Sequence, residues 1–424
     1  MAPRRAEQVM TTTAFYDELE TRDPELRERQ LLAVLPRQVA HAKANAPAYA
    51  ALLDKIDPGA VTSRAALAAL PVVRKSELLE RQRAAPPFGG LTAVPAGKLA
   101  RLFMSPGPIF DPEGDRADYW RFARPLFAAG FRAGDIIHNC FAYHLTPAGS
   151  MVEGAARALG CAVIPGGTGQ TELQLRAIEH LKPQGYVGTP SFLRIILEKG
   201  REAGADLPSL KKALVSGEAF PPAVQKEVVG FGIEALQCYA SADLGLIAYE
   251  SAAREGLILD EGIIVEIVRP GTGDPVPDGE VGEVVVTTLN PDYPLIRFAT
   301  GDLSSVLAGA SPCGRTNRRI RGWLGRADQT TKVRGMFVHP REVAEIVRRH
   351  PEILRARLVV SHDAQSADVM TLHAEVRAGT DPALAQRLAD TLHAVSNLRG
   401  SAELAAPGSL PNDGKVIEDT RKVG

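Results

Sequence analysis

The sequence has few aromatic residues, few cysteines and almost no excess of charge of either sign. Aromatic residues make up 5% of the 424 residues, and 49 basic residues face 50 acidic ones. A formal net charge of −1 gives no electrostatic reason to expect a nucleic-acid or membrane-surface partner. No apolar run approaches the roughly 18 residues that cross a bilayer. The composition therefore favours a soluble α/β protein of enzyme size.

The cysteines are widely spaced and form no CxxC pair. They are Cys140, Cys161, Cys238 and Cys313. Four scattered cysteines cannot form a disulfide framework for a chain of this length. A reducing cytoplasm is therefore the expected location. Basic residues near the amino terminus are not followed by an apolar segment, so no secretory signal is predicted. At about 150 residues per domain, the length predicts two or three domains.

Strand-like runs alternate with helix-like stretches through the middle of the chain. The predicted strands are Asp135–Cys140, Ala162–Pro165, Gly185–Gly188, Ala213–Ser216 and Glu234–Tyr239. This alternation predicts a mostly parallel, doubly wound sheet, with a ligand crevice at the carboxyl ends of the strands. Before it, residues 16–46 read as helical, and Pro36 is expected to kink or divide that helix.

The pattern changes twice towards the carboxyl terminus. Residues 249–325 are rich in β-type sequence, which predicts an antiparallel or barrel-like subdomain. After a boundary near Asp328, helix and strand patterns predict a small α+β domain. We therefore expect a large amino-terminal domain over 1–328 and a small carboxyl-terminal domain over 329–424.

Several turns could carry chemistry, and each also has an ordinary structural interpretation. Residues 105–114 are a Gly- and Pro-rich loop without the ending of a Walker A motif. Ser216–Phe220 and Tyr239–Gly245 each follow a strand, so they are either plain turns or two parts of one crevice rim. Asp302, after Thr-Gly, is either a β-turn residue or a carboxylate that binds both hydroxyls of a ribose. Residues 322–335 could be a charged linker.

In order along the chain, these segments resemble the adenylate-forming superfamily of acyl-CoA synthetases, and most closely its phenylacetate–CoA ligase branch. The resemblance covers nearly the whole chain. Its most specific parts are PLIRFATGDL (294–303), PCGRTNRRI (312–320), GRADQTTKVRGMFVHPREV (325–343) and PGSLPNDGK (407–415).

The resemblance implies an α/β fold with doubly wound mixed sheets, a β-rich subdomain and a small mobile α+β domain. It also implies a reaction in two steps. A carboxylic acid, aryl or arylalkanoic in this branch, attacks the α-phosphate of ATP to give an acyl-adenylate, and coenzyme A then displaces AMP. ATP, Mg²⁺ and coenzyme A are the implied cofactors. The implied partners are small molecules, and a homodimer is compatible with the family.

Site residues follow from the same resemblance. Asp302 would bind the ribose, with Arg326 beside the nucleotide, and Lys415 would bridge the carboxylate and the α-phosphate as a catalytic residue together with Asp243. Asp328 would be the hinge of the small domain, and Lys332, Arg334 and Gly335 its coenzyme A side. The nucleotide would also contact Ser216, Gly217, Glu218, Tyr239, Ala240 and Ser241. The acid pocket would include Phe141, Tyr143 and His144.

The sequence departs from the family pattern at three places. The phosphate loop keeps Ser105 and Gly107 but has prolines that lack N–H donors and carboxylates that repel phosphate. Tyr-Gly-x-Thr-Glu becomes Tyr-Ala-Ser-Ala-Asp, and Asp243 keeps a carboxylate for magnesium. Where the branch often binds zinc, only one thiol remains, so no zinc is expected. The residues at those positions are Cys313, Ser251, Ile258 and Ser311.

Two functions are therefore open. The first is an AMP-forming acid–CoA ligase. The second is a catalytically degenerate homologue that binds a nucleotide or acyl group through an altered phosphate loop.

Overall fold

Short apolar runs and amphipathic stretches fold into strands and helices over most of the chain. The computed structural model describes residues 14–205, 207–327, 329, 331–334, 336–363 and 367–421. The helices are α1 (Pro24–Asn45), α2 (Pro47–Leu52), α3 (Arg64–Ala68), α4 (Leu78–Ala84), α5 (Ala123–Ala128), α6 (Ala148–Leu159), α7 (Thr171–Leu181), α8 (Pro190–Glu202), α9 (Pro222–Gly230), α10 (Pro340–Arg349) and α11 (Leu384–Ser396).

The strands are as short as the apolar runs that form them. They are β1 (Val73–Arg74), β2 (Arg101–Ser105), β3 (Ile109–Glu113), β4 (Ile136–Asn139), β5 (Ala162–Pro165), β6 (Gly185–Gly188), β7 (Lys212–Val215), β8 (Glu234–Ser241), β9 (Gly245–Glu250), β10 (Leu257–Leu259), β11 (Ile263–Val268), β12 (Gly282–Thr288), β13 (Phe298–Ser304), β14 (Val306–Leu307), β15 (Arg319–Ile320), β16 (Thr331–Val333), β17 (Met336–Val338), β18 (Ile353–His362), β19 (Asp368–Val376), β20 (Ser401–Ala405) and β21 (Ile417–Asp419).

Helix α1 runs through Pro36 without being divided. Leu35 and Val39 on either side of the proline are fully buried. Burial of this apolar stripe outweighs the single backbone hydrogen bond that proline cannot donate, so the helix continues.

The chain forms two compact units, each built from separate stretches of sequence. The first unit contains the described parts of Met1–Glu28, Arg116–Glu261 and Ala310–Asn317. The second contains the described parts of Arg29–Asp115, Gly262–Gly309 and Arg318–Gly424.

In the first unit a mixed sheet has the strand order β10-β9-β8-β7-β6-β4-β5. Strands β4 to β8 are parallel to one another, whereas β9 runs antiparallel to β8 and β10 antiparallel to β9. Helices α6 to α9 connect the parallel strands, as strand–helix alternation predicts. Fully buried Tyr186, Leu193 and Ile196 belong to the core that these helices cover.

In the second unit an open sheet has the order β1-β13-β12-β11, and another has the order β20-β19-β18-β21. Helices α10 and α11 contribute Ile346 and Leu388 to one apolar core with Leu358 and Leu372 of the second sheet. The unit also contains the strand pairs β2–β3, β14–β15 and β16–β17.

The predicted fold class, α/β with mixed sheets and a β-rich part, is confirmed. The β-rich segment forms an open sheet, which favours the antiparallel alternative over a barrel. The domain boundaries at 1–328 and 329–424 stay a prediction. Within the described ranges, no helix combines the length and apolarity needed to cross a membrane.

Candidate active site

The carboxyl ends of parallel strands in the first unit bring several predicted residues together. Phe141 follows β4, Thr189 follows β6 and Gly217 follows β7. A Cβ placed on Gly217 would lie 3.7 Å from Thr189 Cγ2 and 3.8 Å from Phe141 Cε1. Parallel sheets bind ligands in the crevice at these ends. The predicted adenine turn and the predicted acid pocket therefore adjoin at one edge of this sheet.

The turn after β7 is fixed by the hydroxyl group of its first residue. Ser216 is buried, and its Oγ donates a hydrogen bond to the Cys238 carbonyl of β8 at 2.7 Å. Gly217 follows with φ +82°, a left-handed conformation that favours glycine. Glu218 Oε2 accepts a hydrogen bond from the Ser191 N–H at 3.4 Å, in the first turn of α8. The turn therefore presents Gly217 and Glu218 on a rigid base.

Strand β8 ends with Tyr239, Ala240 and Ser241, and Asp243 lies in the turn before β9. Ser241 Oγ accepts a hydrogen bond from the Leu244 N–H at 3.2 Å. The Asp243 side chain is only 4% exposed. A single carboxylate fits Mg²⁺ that takes other ligands from substrate phosphates and water. Within the described residues, no three His, Cys, Asp or Glu side chains are grouped as metal ligands.

Tyr143, from the predicted acid pocket, is held by its hydroxyl and by a glycine against its ring. Asn139 Nδ2 donates to the Tyr143 hydroxyl at 2.7 Å, while Asn139 Oδ1 accepts from the Phe141 N–H at 3.2 Å. Burial raises the pKa of Tyr143. A Cβ on Gly149 would lie 2.9 Å from the ring, so only glycine fits there. His144 is exposed.

Gln174 of α7, which sequence reasoning missed, orders the loop beside this pocket. Its Nε2 donates to the Gly167 and Gly169 carbonyls at 3.0 and 2.7 Å. Its Oε1 lies 2.7 Å from His138 Nε2 and accepts from the Cys140 thiol at 3.1 Å. Burial lowers the pKa of His138, so this ring is neutral at pH 7. The sequence contains no signal for this role, because Gln174 is one polar residue among several in helix α7, and its contacts with the loop are seen only in the structure.

Asp302 lies on a β-bulge inside β13 and not in a turn between strands. Residues Thr300 to Asp302 oppose the single residue Val284 of β12, where the register shifts. Gly301 has φ +76°, and Thr300 Oγ1 donates to the Val284 carbonyl and accepts from the Asp302 N–H, both at 3.1 Å. A bulge re-aims the side chains of a strand. The Thr-Gly pair therefore sets the direction of Asp302.

Two donors converge on one oxygen of Asp302. Trp323 Nε1 donates to Asp302 Oδ1 at 3.1 Å, and Arg326 Nη1 donates to the same atom at 2.9 Å. A Cβ on Gly301 would lie 2.8 Å from Arg326 Nη2, so glycine allows this approach. The Trp323 residue is 52% exposed although it is large and apolar. The structure thus joins Asp302 and Arg326 and adds Trp323, which sequence reasoning missed.

A cavity of about 500 Å³ in the second unit is lined by Gly301 and Arg326. Arg74, one of its cations, is paired with Glu283 at 2.9 Å. The charged residues of the lining are Arg74, Lys75, Arg326, Arg341, Glu77, Glu80 and Glu283. Of its four cations, Arg74 is paired with Glu283 and Arg326 with Asp302, so the lining is charged but close to balanced.

The predicted phosphate loop is the tip of a hairpin. Ser105 pairs with Ile109 across the end of β2–β3, and its Oγ donates to the Ile109 carbonyl at 3.3 Å. Gly107 at the tip is flanked by prolines, which have no N–H. Gln82 exchanges two hydrogen bonds of 2.8 Å with the backbone of Phe110. The segment is thus built mainly from paired backbone and not from a loop with several free N–H groups.

Lys415 is half exposed and lies in a different cavity. Its Nζ is 3.6 Å from Glu418 Oε1. It lines a cavity of about 50 Å³, whereas Arg326 lines the larger one. Gly414 before it has φ +71°, and a Cβ there would lie 2.6 Å from Val281 Cγ1. The structure does not bring Lys415 into the cavity of Arg326.

The predicted coenzyme A side is only partly described. Lys332 belongs to β16, which pairs with β17. The Arg334 N–H donates to Asp368 Oδ2 at 2.8 Å, and its guanidinium Nη2 donates to the Asp368 carbonyl at 2.7 Å. The predicted hinge Asp328 and the predicted Gly335 lie outside the described residues.

Three of the four residues at the family's zinc positions, Cys313, Ser251 and Ser311, form a small polar group in the first unit. Cys313 Sγ lies 3.1 Å from Ser311 Oγ. Burial opposes ionisation of Cys313, but hydrogen bonds from Ser251, Ser311 and Arg315 outweigh it and lower the pKa of the thiol. Ile258, in β10, is buried. The expected absence of zinc stays a prediction.

The chain is similar to known proteins over most of its length. The family model described as "AMP-binding enzyme" matches residues 125–290. The phenylacetate-coenzyme A ligase of Thermus thermophilus is 32% identical over 379 residues, covering 85% of this chain and 84% of that protein. The phenylacetate-coenzyme A ligase of Escherichia coli K12 is 31% identical and covers 79% of each chain. A crystal structure of 2-hydroxyisobutyryl-CoA ligase with its acyl-adenylate has a TM-score of 0.71 at 25% identity, covering 99% of this chain and 94% of that one.

Proposed function

The chain belongs to the AMP-binding, adenylate-forming enzyme family, close to the phenylacetate-coenzyme A ligases, and we propose that it activates a carboxylic acid with ATP and transfers the acyl group to coenzyme A. In the first step a carboxylate oxygen bonds to the α-phosphorus of ATP and pyrophosphate leaves. In the second step the coenzyme A thiol attacks the acyl carbon, loses its proton and displaces AMP.

The observation that carries this proposal is the Asp302 carboxylate on its bulge. Two donors fix its orientation, and the adjoining cavity has room and four basic side chains for a phosphorylated ligand. Asp302 binds the ribose hydroxyls, for which a short, rigid carboxylate is suited. Arg326 contacts the nucleotide beside it.

The strand ends of the first unit bind the base and the acid. Gly217 and Tyr239 contact adenine, with Ser216, Glu218, Ala240 and Ser241 completing the turns around it. Phe141 and Tyr143 enclose the acid, and His144 lies at the rim. The roles of Phe141 and Tyr143 are supported by the hydrogen bonds of Asn139 to both residues and by the close packing of Gly149 against the Tyr143 ring.

Lys415 neutralises charge between the carboxylate and the α-phosphate during the first step. An ammonium group on a flexible stem suits a residue that arrives with a moving domain. The small domain over 329–424 turns about Asp328, and Lys332, Arg334 and Gly335 face coenzyme A in the second step.

Asp243 is the residue that would hold Mg²⁺. The ion supplies neutralisation of phosphate charge when it is bound with ATP. Because the Asp243 side chain is buried in a turn, it holds its carboxylate in a fixed position.

The acid is aryl or arylalkanoic in this proposal. The support is the aromatic pair Phe141 and Tyr143 and the similarity to proteins named phenylacetate-coenzyme A ligase. One structural neighbour is named 2-hydroxyisobutyryl-CoA ligase, after an aliphatic hydroxy acid. The test panel must therefore include aliphatic acids.

One observation favours a second candidate, a degenerate homologue that binds the nucleotide without efficient turnover. The β2–β3 tip offers few backbone N–H groups, because prolines flank Gly107 and the flanking residues pair across the hairpin. Such a tip binds the leaving pyrophosphate weakly.

ATP–pyrophosphate exchange over a panel of aromatic and aliphatic acids separates the two candidates. We expect exchange with at least one arylalkanoic acid, loss of exchange in Lys415→Ala, and thioester formation by that variant from a supplied acyl-adenylate. Nucleotide binding without exchange for every acid would favour the degenerate homologue. Equal loss of both steps in Lys415→Ala would contradict the role of this lysine.

A cytoplasmic location and a homodimer also stay proposals. Light scattering on the purified protein measures the second directly, and a monomeric mass at micromolar concentration would contradict it.

A further inference from the structure

Gln329 brackets Lys415 with hydrogen bonds to the backbone on both sides of it. Its Nε2 donates to the Gly414 carbonyl at 2.9 Å. Its Oε1 accepts from the N–H groups of Val416 and Ile417 at 2.5 and 2.9 Å. The carboxamide of Gln329 thus donates to the residue before Lys415 and accepts from the two residues after it.

A second group of contacts holds the rest of the same segment. Buried Arg357 contacts the Asp413 carboxylate, donates to Glu418 Oε2 at 2.9 Å and donates to the Pro411 carbonyl at 3.1 Å. Asp413 Oδ1 in turn accepts from the Lys415 N–H at 3.0 Å. Arg357 therefore fixes the two ends of the segment, and Gln329 fixes its centre.

The side chain of Lys415 is much less restrained than its backbone. Half of it is exposed, and its Nζ is 3.6 Å from a half-buried Glu418 carboxylate, a contact of small energy. The direction of this flexible side chain is thus set by the backbone from which it starts. That backbone is fixed by a residue that directly follows the predicted hinge Asp328 in the sequence.

We propose that Gln329 is a positioning residue for Lys415: it ties the lysine-bearing segment to the start of the small domain, so that the ammonium group reaches the α-phosphate in the first step. This inference rests on the proposed function, which assigns Lys415 to that step. Gln329 itself contacts no reacting atom.

The test compares the two half-reactions in Gln329→Ala. We expect the rate constant of adenylation, measured by pyrophosphate exchange at saturating acid, to fall about 10- to 100-fold, because a displacement of about 1 Å costs that much. The KM for ATP should stay within about twofold of wild type. The rate of thioester formation from supplied acyl-adenylate should also stay within about twofold, since the Lys415 ammonium group has no role in that step.

Two further variants make the result specific. Gln329→Glu keeps an acceptor for Val416 and Ile417 but loses the donor to Gly414, so its adenylation rate should lie between those of wild type and Gln329→Ala. Gln386→Ala is the matched control, because the side chain of this exposed glutamine of α11 donates to Asp390 of the same helix, and its loss should leave both steps unchanged. Equal loss of both steps in Gln329→Ala would reduce Gln329 to a structural residue and overturn the proposal.

Amide hydrogen exchange tests the contact independently of the proposed function. The peptide over 411–418 should exchange about tenfold faster in Gln329→Ala than in Gln386→Ala, because the Val416 and Ile417 N–H groups lose their acceptor. Equal exchange would overturn the proposal. If wild type shows no pyrophosphate exchange with any acid, the proposed function fails, whereas the hydrogen-exchange result still decides whether Gln329 holds the segment.

Discussion

At the scale of single residues, the exposed indole of Trp323 beside Asp302 is the feature most accessible to measurement. The chain has two tryptophans, of which Trp120 is 3% exposed and Trp323 52% exposed. We expect ATP to change the fluorescence of Trp323. Trp323→Phe should remove that change and weaken ATP binding about 3- to 10-fold, since one hydrogen bond to a partly exposed carboxylate is lost.

The control for this prediction is Trp120→Phe, which removes the buried indole. Its fluorescence response to ATP should match that of wild type in size. A response that persists in Trp323→Phe and disappears in Trp120→Phe would show that the nucleotide does not bind beside Asp302.

Asp302 also illustrates what can be predicted at this scale. Its motif predicts a ribose-binding carboxylate, and the glycine before it is a signal for a bulge in a strand pattern. The convergence of Trp323 and Arg326 on one oxygen could not be predicted. It depends on residues more than 20 positions away in sequence, and on a backbone pairing between Asp302 and Arg326.

At the scale of secondary-structure elements, the buried ion pair of Arg297 with Glu266 links β11 to the residue just before β13, and Arg297 also bonds the end of α3. Arg297 is 1% exposed, and its guanidinium makes two bonds of 3.0 Å to Glu266. It also donates to the Ala68, Leu70 and Gly273 carbonyls. Although Arg297 belongs to one of the four specific motifs, its contacts are structural, because every donor of its guanidinium group is used inside the fold.

We expect Arg297→Met to lower the free energy of unfolding by about 3–5 kcal/mol, since it leaves Glu266 buried without its partner. Burial already raises the pKa of Glu266 despite the arginine. Urea denaturation at pH 7 measures the change. The double variant Arg297→Met with Glu266→Met should recover part of the loss. If the double variant is less stable than the sum of both single variants predicts, the ion pair is not the source of the stability.

A second element-scale prediction concerns Asp118, before α5. Burial raises its pKa to about 7, and the Asp260 charge adds to the effect although backbone N–H groups and Arg121 oppose it. The folded state therefore holds a proton that the unfolded state releases near pH 4. By linkage, this residue makes the protein less stable as pH rises from about 4 to 7.

Asp118→Asn should remove that dependence. Asn has no charge to bury, and it tolerates the φ of +46° found here. We expect the variant to gain roughly 2–4 kcal/mol relative to wild type at pH 8 and almost nothing at pH 4. Urea denaturation at both pH values measures this. A gain of equal size at both would contradict ionisation as the cause.

Elements that rest on a sustained apolar pattern were predictable, and the shortest strands were not. The parallel strands β4 to β8 follow apolar runs that end in small or polar residues. Strands of two residues such as β1 have no periodicity to detect and exist because β13 offers a partner. The sequence of the β2–β3 hairpin predicts a loop, because its prolines and glycine hide the strand pairing on either side of the tip.

At the scale of the whole molecule, residues close in space come from distant parts of the sequence. The second unit combines Arg29–Asp115, Gly262–Gly309 and Arg318–Gly424. The sequence predicts a single domain boundary, near residue 328, because a change of composition can mark only a division between consecutive segments of the chain. Pairing of β1 with β13 shows why this is insufficient: more than 200 residues separate them, and no local signal reports that contact.

Binding linked to the stability of the whole protein gives the last prediction. A ligand at 100 times its Kd adds about 2.7 kcal/mol to the folded state, which corresponds to roughly 3 °C for a chain of this size. ATP should raise the Tm by that amount. 2′,3′-Dideoxy-ATP should raise it much less at equal concentration, because it lacks both hydroxyls that Asp302 is proposed to bind.

Asp302→Ala makes this comparison specific for the ribose. With no carboxylate, ATP and the dideoxy analogue should stabilise the variant equally and weakly, so the difference between the two ligands disappears. If Asp302→Ala lowers the effect of both ligands by the same factor and keeps their ratio, the hydroxyls bind elsewhere and Asp302 acts on the phosphates or on the fold. Differential scanning fluorimetry on both proteins with both ligands decides this, because the ratio does not depend on how stable the variant itself is.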